Sequence, residues 1–252
     1  IRRVLAEAAA VIAFDHNLLA QMLAAVPDAQ PKAFLIPQAV DVSDGSSSSE
    51  ESAAIRAALL VEKSDDLLLL LPAGLRPVKD VLYAVAAIRA WHGQDRRVQL
   101  RIVGPTLDAD YAASVERVLN SPEHASCTRY CGALPREKLH AAMRAADVVL
   151  NTSVSEGMCN SILESMLLGT PVVARHNAGN AQLVRHDETG LLFDTPEGLV
   201  AQARRLVSDA DLSTRLAAAA RRRVESAHSA AAEAEGYRNV VQFALGRGAV
   251  PE

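Results

Sequence analysis

Residues 148–164 read Val148-Val-Leu-Asn-Thr-Ser-Val-Ser-Glu-Gly-Met-Cys-Asn-Ser-Ile-Leu-Glu164. The apolar run 148–150 predicts a buried strand, and the apolar residues after Ser161 predict a helix. In the loop between them, Gly157 lets the backbone approach a ligand closely, and Asn160 or Ser161 can cap the helix. Because free N–H groups and the helix dipole attract phosphate to a helix N-terminus, this stretch predicts an anion site.

Two carboxylates flank that predicted site, Glu156 in the loop and Glu164 on the helix. Ionised carboxylates only accept hydrogen bonds, whereas sugar hydroxyls can donate them. The pair therefore suits a ligand that carries both a diphosphate and sugar hydroxyls. The ordinary interpretation is a surface loop acid and a solvated helix acid, and the rest of the chain decides between the two.

Composition and charge exclude several classes of protein. The 252 residues suffice for one or two domains, and half of them are hydrophobic. A net charge of −4 and a pI near 6 argue against nucleic acid as the main partner, because phosphate backbones need a basic surface. The basic run 221–223 lies in an alanine-rich helix, where a solvated face is expected. No apolar run reaches the ~20 residues of a membrane span.

The three cysteines, Cys127, Cys131 and Cys159, contain no Cys-x-x-Cys pair. They therefore indicate neither a disulfide framework nor a zinc site, and they favour a reducing compartment. We expect a cytoplasmic protein. Because the chain starts at Ile1 without a methionine and in a helical pattern, we also expect it to be part of a longer protein.

Apolar runs alternate with amphipathic segments along the chain. Strands are predicted at 11–14, 33–36, 67–71, 98–103, 128–131, 148–150, 171–174 and 190–193. Helices are predicted at 18–26 (capped by Asn17), 79–92, 109–119, 136–146, 161–168, 182–186 and 197–207, with a helical tail over 211–245. Apolar strands separated by helices are typical of a parallel sheet covered on both faces. The predicted fold class is α/β, a doubly wound parallel sheet.

The serine-rich segment Ser43-Asp-Gly-Ser-Ser-Ser-Ser49 is the best candidate for a linker. Ser48 and Glu51 have the pattern of a capping box, which predicts a short helix to about residue 61. We therefore divide the chain into four parts: residues 1–42, a linker with a short helix at 43–64, a main domain at 65–228, and a C-terminal helix with a tail at 229–252.

Two further strand ends carry glycine loops. Ala73-Gly-Leu-Arg-Pro-Val-Lys79 follows one strand, and both Arg76 and Lys79 could reach a diphosphate. The ordinary interpretation is two solvated charges at a helix start, but cations are disfavoured at a helix N-terminus, so two of them there favour a bound anion. His176-Asn-Ala-Gly-Asn180 follows another strand, and Gly179 would permit a tight turn. Ligands of open parallel sheets bind at such carboxyl ends, where the strand order reverses.

A dinucleotide cofactor is the obvious rival ligand. Its fingerprint is Gly-x-Gly-x-x-Gly after the first strand, and the sequence lacks it. Gly-x-Gly occurs only at Gly246-Arg-Gly248, after no strand. Asp108-Ala-Asp110 comes nearest to a pair of metal ligands, and we interpret it as a helix cap.

Together, the motifs resemble the C-terminal half of a retaining glycosyltransferase of family 4, which has the two-Rossmann-domain GT-B architecture. Glu156 and Glu164 match the family's E-x7-E motif, and Lys79 matches its lysine before the first helix. Thr189-Gly-Leu-Leu-Phe193 matches its n-G-l-L-f element. Gln38-Ala-Val-Asp41 resembles its n-G-v-D linker, with alanine in place of the glycine. The resemblance covers nearly the whole chain.

This resemblance implies a role for each matching residue. Glu164 would bind the ribose of the donor, Glu156 would face the donor sugar, and Lys79 would neutralise the diphosphate. The other donor-binding residues would be Gly157, Met158, Cys159, Asn160, Gly74, Gly179 and Asn180.

At two positions the chain departs from the family pattern. The family's usual arginine, five residues before the lysine, is Gly74 here, so Arg76 is the candidate replacement and would join Glu156 and Lys79 as a catalytic residue. The glutamate that commonly follows the family's glycine turn is Gln182 or Asn180 here.

The implied reaction is hexosyltransferase-like: transfer of a sugar from a nucleotide-sugar to an unidentified acceptor, with retention and without a metal or other cofactor. Residues 1–42 would end an N-terminal acceptor domain, and residues 65–228 would hold the donor. On that interpretation these 252 residues bind donor but transfer little. Two other functions stay open, a GT-B sugar-nucleotide epimerase, which works on the donor alone, and a non-catalytic nucleotide-sugar-binding homologue.

Overall fold

A computed structural model describes residues 2–42, 48–61 and 63–246. Most of the predicted linker, residues 43–47, lies outside the described residues. In chain order the elements are α1 (Arg2–Glu7), β1 (Val11–Ala13), α2 (His16–Ala25), a 3₁₀ helix (Pro27–Lys32), β2 (Ala33–Leu35), α3 (Ser49–Ala58), β3 (Leu67–Pro72), a second 3₁₀ helix (Pro77–Lys79), α4 (Val81–Gln94), β4 (Val98–Val103), α5 (Ala109–Leu119), β5 (Thr128–Tyr130), α6 (Arg136–Ala145), β6 (Val148–Asn151), α7 (Asn160–Leu168), β7 (Val172–Arg175), α8 (Ala178–Leu183), β8 (Leu191–Phe193), α9 (Pro196–Ser208), α10 (Ala210–Ala227) and α11 (Ala230–Ala244).

The chain divides into two compact units. One comprises residues 1–41 together with 224–252, and the other comprises residues 42–223. The C-terminal helix, which we assigned to a separate segment at 229–252, thus groups with the start of the chain. It does so because α11 packs on the first unit's strands: the rings of Phe34 and Phe243 meet edge to face at 5.2 Å. Gly236 also lies against Ile36, whose Cγ2 would be 3.0 Å from an added Cβ.

In the first unit, β1 and β2 pair in parallel, with Val11 opposite Ala33. The cap of α2 differs from the sequence prediction, which named Asn17. Asp15 is the N-cap, because its backbone is extended and its carboxylate accepts a 2.7 Å hydrogen bond from the Leu18 amide. Helix α2 therefore begins two residues earlier than predicted.

A six-stranded sheet forms the centre of the second unit. Its order is β5-β4-β3-β6-β7-β8, and every neighbouring pair is parallel. The apolar run of β3 shows why both faces are covered. Leu69 and Leu71 enter one core beneath α4, α5 and α9, whereas Leu68 and Leu70 enter another beneath α3 and α6. The predicted α/β class with a doubly wound parallel sheet is confirmed.

Three predicted helices differ in the structure. The segment 79–92 splits into the second 3₁₀ helix and α4, separated by Asp80 in the left-handed conformation at φ 42°. The helix predicted at 182–186 is α8, which starts earlier because Asn177 caps it, accepting a 2.9 Å hydrogen bond from the Asn180 amide. The predicted tail is two helices, because Ser229 caps a new helix after α10.

Two predicted caps are confirmed. Ser48 and Glu51 form a reciprocal capping box at α3, with hydrogen bonds of 3.1 and 3.3 Å. The Asp108 carboxylate caps α5 by accepting from the Tyr111 amide at 2.9 Å. Within the described part of the chain, no helix has the length and apolar character needed to cross a bilayer.

The strand order reverses between β3 and β6. From β3 the chain continues to β4 on one side, and later returns to place β6 on the other side, with Leu69 opposite Val148. The loops that leave the carboxyl ends of β3 and β6 therefore diverge and open a crevice. These are the loops that carry Lys79 and Glu156.

Candidate active site

An ion pair joins the two loops of the crevice. The Lys79 ammonium nitrogen lies 2.5 Å from Glu156 Oε1, and the two side chains are only 15% and 9% exposed. Two hydrogen bonds to backbone carbonyls hold the loops together: the Val154 amide donates to the Val78 carbonyl at 2.9 Å, and the Thr152 hydroxyl donates to the Lys79 carbonyl at 2.8 Å. The pair is thus fixed by the backbone on both sides.

The two oxygens of Glu156 have different environments. Oε1 accepts from Lys79 Nζ, from the Ser153 hydroxyl at 2.5 Å and from Asn151 Nδ2 at 3.3 Å. Oε2 accepts no hydrogen bond from any residue that the structure describes. One oxygen therefore anchors the carboxylate, and the other keeps its capacity to accept from a ligand.

Burial raises the pKa of Glu156, but the hydrogen bonds from Lys79 and Ser153 oppose it and hold the pKa below its usual range. Glu156 is therefore ionised at neutral pH. Burial removes most of the water from both charges, so the pair is stable only when the two groups lie close together and are well oriented. The site thus presents a fixed anion beside a fixed cation.

Helix α7 begins immediately after this loop. Cys159 is the N-cap residue, and no side-chain hydrogen bond from the described residues caps the helix. The prediction that Asn160 or Ser161 caps it is wrong, because both already lie in the first helical turn. The Ile162 amide donates to the Cys159 carbonyl at 3.1 Å, whereas the Asn160 and Ser161 amides have no acceptor among the described residues, as expected at a helix start. These two amides are therefore the ones available to an anion.

Gly157 and Gly179 have opposite surroundings. A Cβ added at Gly157 would meet nothing within 4 Å, so the absent side chain leaves space open in front of α7. A Cβ added at Gly179 would lie 2.1 Å from the Glu156 carbonyl oxygen. Gly179 does not form the predicted tight turn. It lies in the first turn of α8, where the lack of a side chain lets α8 pack directly on the Glu156 backbone.

Asn160 is exposed and Met158 is half-buried, whereas Cys159 is buried, at 3% exposure. Asn180, at the start of α8, is fully buried and donates to Asn151 Oδ1 at 2.9 Å. Of the predicted residues, Gly179 therefore contacts the Glu156 backbone, and Asn180 contacts Asn151 at the end of β6.

Glu164 lies on α7, and its Oε1 is 3.6 Å from Nε2 of the fully buried His140 on α6. Burial lowers the pKa of His140, although the Glu164 carboxylate opposes that effect. His140 is therefore neutral near pH 7. It is one of the residues that sequence reasoning missed, because a histidine on an amphipathic helix gives no signal of what it faces.

Arg76 and Gly74 lie on the β3 side of the crevice. The Arg76 side chain is exposed and makes no hydrogen bond or ion pair with the described residues, while its carbonyl accepts from the Lys79 amide at 3.0 Å. A Cβ at Gly74 would lie 2.6 Å from Cδ1 of Leu107, which is itself 58% exposed. A larger residue at position 74 would therefore have to displace the Leu107 side chain.

Asp80 and Arg175 were also missed by sequence reasoning. Asp80 adopts its left-handed conformation directly after Lys79, at a cost on the order of 1–3 kcal/mol for a residue other than glycine. Arg175, at the end of β7, donates to the Asp80 carboxylate at 2.8 Å and stacks 4.3 Å over the Tyr83 ring. These contacts hold the bend from which Lys79 projects.

Among the residues that the structure describes, no three His, Cys, Asp or Glu side chains are grouped so as to hold a metal ion.

Comparison with known proteins gives the family. Residues 67–209 match the family model described as glycosyl transferases group 1. The chain is 35% identical over 238 residues to glycosyltransferase 1 domain-containing protein 1 of Xenopus tropicalis, covering 94% of this chain and 68% of that protein.

Two solved structures share the fold. Anabaena Alr3699/HepE in complex with UDP superposes with a TM-score of 0.83 at 20% identity, over 95% of this chain and 65% of that one. Sucrose-phosphate synthase from Thermosynechococcus elongatus superposes with a TM-score of 0.80 at 22% identity, over 97% of this chain and 60% of that one. This chain thus spans about two thirds of the length of these relatives, and the predicted GT-B architecture is confirmed. By its sequence match, the chain belongs to the glycosyl transferases group 1 family.

Proposed function

We propose that this protein binds a nucleotide-sugar at the crevice between the β3 and β6 loops. It then transfers the sugar to an acceptor with retention of anomeric configuration, as a hexosyltransferase-like member of glycosyltransferase family 4. The observation that carries the proposal is the Lys79–Glu156 pair beside the uncapped N-terminus of α7. A cation and free amides suit a diphosphate, and a carboxylate with one unused oxygen suits sugar hydroxyls.

The diphosphate is assigned to Lys79 and to the amides near Met158, Cys159 and Asn160. Lys79 has three N–H donors, of which one meets Glu156, so the others can reach phosphate oxygens while the pair stays intact. As the bond to the sugar breaks, negative charge grows on the leaving diphosphate. Fixed donors aimed at that charge stabilise the transition state without reorganisation.

The donor sugar is assigned to Glu156 and the ribose to Glu164, the two ends of the E-x7-E motif. Oε2 of Glu156 accepts from sugar hydroxyls while Oε1 stays anchored. Gly157 leaves the space in which the ligand lies, whereas Gly74 lets the opposite loop pack closely against Leu107. Gly179 and Asn180 act from behind, by holding the Glu156 loop.

No metal is assigned a part in this reaction. Arg76 is placed at the start of the 3₁₀ helix that carries Lys79, with its side chain exposed and without a partner among the described residues. We assign it as a second cation for the diphosphate. Arg76→Ala is then expected to weaken binding of the nucleoside diphosphate and leave binding of the nucleoside unchanged.

Support for a nucleotide-sugar comes from a relative of the same fold. Anabaena Alr3699/HepE has been crystallised with UDP and with UDP-glucose. The base and the sugar for this chain are tested by a thermal-shift screen against UDP, GDP and their sugars. A rise in melting temperature with at least one of them supports the proposal, and no rise with any nucleotide or nucleotide-sugar contradicts it.

Donor turnover separates transfer from epimerisation. A transferase consumes donor in proportion to added acceptor, whereas an epimerase converts the donor alone. Retention is read from the anomeric configuration of the product by proton NMR. We expect residues 1–252 alone to bind donor and transfer weakly, because a two-stranded sheet offers little surface to exclude water or orient an acceptor.

A further inference from the structure

Asn180 is a buried amide whose orientation is unambiguous. It is fully buried, and its Nδ2 donates to two groups, the Asn151 side-chain oxygen at 2.9 Å and the Arg175 carbonyl at 2.8 Å. The second of these can only accept, so the amide nitrogen of Asn180 has to face it. The direction of the first hydrogen bond follows from that.

Asn151 is oriented in turn. Its oxygen accepts from Asn180 and also from the Ser153 amide at 3.1 Å, and the residue is 4% exposed. Its nitrogen must then face the opposite side, where it donates to Glu156 Oε1 and to the Cys159 sulfur at 3.2 Å. If the Asn151 amide were flipped, its oxygen would face the carboxylate of Glu156, and the two would repel each other.

Stability alone does not account for an asparagine at position 180. Its own Oδ1 is buried and has no hydrogen-bond partner among the described residues. An unpaired buried acceptor is destabilising, because it has lost its water without replacement. The Nδ2 group of Asn180 compensates for this loss by donating two hydrogen bonds, to Asn151 and to the Arg175 carbonyl. An apolar residue of the same size could make neither bond.

We propose that Asn180 is a positioning residue of the site: through Asn151, it fixes the hydrogen bond that anchors Oε1 of Glu156 and so leaves Oε2 turned to the ligand. Asn180 does not touch Glu156 itself. The groups that face the carboxylate are Lys79, Ser153 and Asn151, with Cys159 behind. The link to catalysis rests on the proposed function, whereas the orienting role rests on the hydrogen bonds alone.

The direct test is the titration of Glu156, followed by NMR in protein labelled with ¹³C at the glutamate carboxyls, with Glu156→Gln to assign the signal. Loss of the Asn151 donor removes one of the bonds that lower the pKa of Glu156. We expect Asn180→Ala to raise that pKa by less than Asn151→Ala does, because the Ser153 amide still holds the Asn151 oxygen, and the double variant to rise no further than Asn151→Ala. Asn180→Leu, which fills the volume, replaces Asn180→Ala if the latter unfolds.

The matched control is Thr170→Val. Thr170 is also buried and lies in the same unit. The substitution removes one hydrogen bond, which the Thr170 hydroxyl donates to the Met143 carbonyl. It should leave the pKa of Glu156 unchanged. An unchanged pKa in the Asn180 variants, or effects of Asn180→Ala and Asn151→Ala that simply add, would overturn the proposal.

A second measurement tests whether the hydrogen bonds from Asn180 through Asn151 to Glu156 affect ligand binding. In the Asn180 variants, affinity for the nucleotide-sugar identified by the screen should fall about tenfold, as for one lost hydrogen bond to a charged group, and affinity for the nucleoside diphosphate should stay the same. Equal losses for both ligands would contradict positioning of the sugar-facing oxygen. If the parent protein binds neither ligand, the proposed function fails, and the titration still decides the role of Asn180.

Discussion

Lys79 and Glu156 are 77 residues apart in the chain, yet their charged groups meet at 2.5 Å where the strand order of the sheet reverses. Each side chain follows a different strand, and hydrogen bonds between the two loops fix their backbones. The arrangement places a cation, a carboxylate with one unused oxygen and the open N-terminus of α7 in one crevice. Five variants test these groups and the residues around them.

Lys79→Ala should weaken the binding of a nucleoside diphosphate by about 1.5–3 kcal/mol, the range for a hydrogen bond with a charged partner, and should affect the bare nucleoside much less. Calorimetry with both ligands, on the variant and on the parent protein, gives the ratio of the two affinities. Lys63→Ala is the control, because Lys63 is exposed and precedes the amino end of β3. Equal losses for the two ligands would show that Lys79 acts through folding and not through charge.

Glu164→Ala should weaken nucleotide binding by a similar amount, about 1.5–3 kcal/mol, because the ribose hydroxyls would lose a charged acceptor. The matched control is Glu116→Ala, which removes an exposed carboxylate from α5. Unchanged affinity of the Glu164 variant by calorimetry would exclude the ribose-binding role.

The two glycines of the site should respond differently to alanine. Gly157→Ala should change the free energy of unfolding by less than about 0.5 kcal/mol, as for an ordinary surface substitution, because the new Cβ meets no protein atom. It should still weaken nucleotide-sugar binding by occupying the ligand's space. Gly179→Ala should destabilise the fold by about 1–3 kcal/mol, because its Cβ would overlap the Glu156 carbonyl. Urea unfolding measures the change in stability of both variants. A larger loss of stability for Gly157→Ala than for Gly179→Ala would contradict the geometry.

His140 should make stability depend on pH. Burial holds the pKa of His140 in the folded chain below the value of about 6.5 that histidine has when unfolded. Below that unfolded value, the unfolded chain binds more protons, so stability should fall as the pH drops from 6.5 toward the folded pKa. His140→Gln should flatten this slope in urea unfolding between pH 7.5 and 5. An equally steep slope in the His140 variant would contradict the buried neutral state.

Much of the fold can be predicted from the sequence, because the buried parallel strands are continuous apolar runs. The strand order cannot be predicted that way, and the order is what brings Lys79 beside Glu156. The sequence predicts a tight turn at Gly179, but the role of this glycine depends on the start of α8 at Ala178, which follows from the Asn177 cap. A single hydrogen bond thus changes how a neighbouring glycine is interpreted.

The polar network behind Glu156 was the least predictable part. Asn151 ends an apolar strand at the carboxyl edge of the sheet, a position that does indicate a ligand site. That Asn180 orients it depends on the packing of α8 against β6, which no local pattern encodes. The grouping of α11 with residues 1–41 likewise depends on contacts between the two ends of the chain, such as Phe34 with Phe243.

The central claim is tested most directly by a crystal structure of the protein with the nucleotide-sugar that the thermal-shift screen identifies. The diphosphate is expected at the N-terminus of α7, within hydrogen-bonding distance of Lys79 Nζ, with the sugar facing Oε2 of Glu156 and the ribose at Glu164. A nucleotide bound away from the β3 and β6 loops, or bound there with its phosphates turned away from Lys79, would contradict the account.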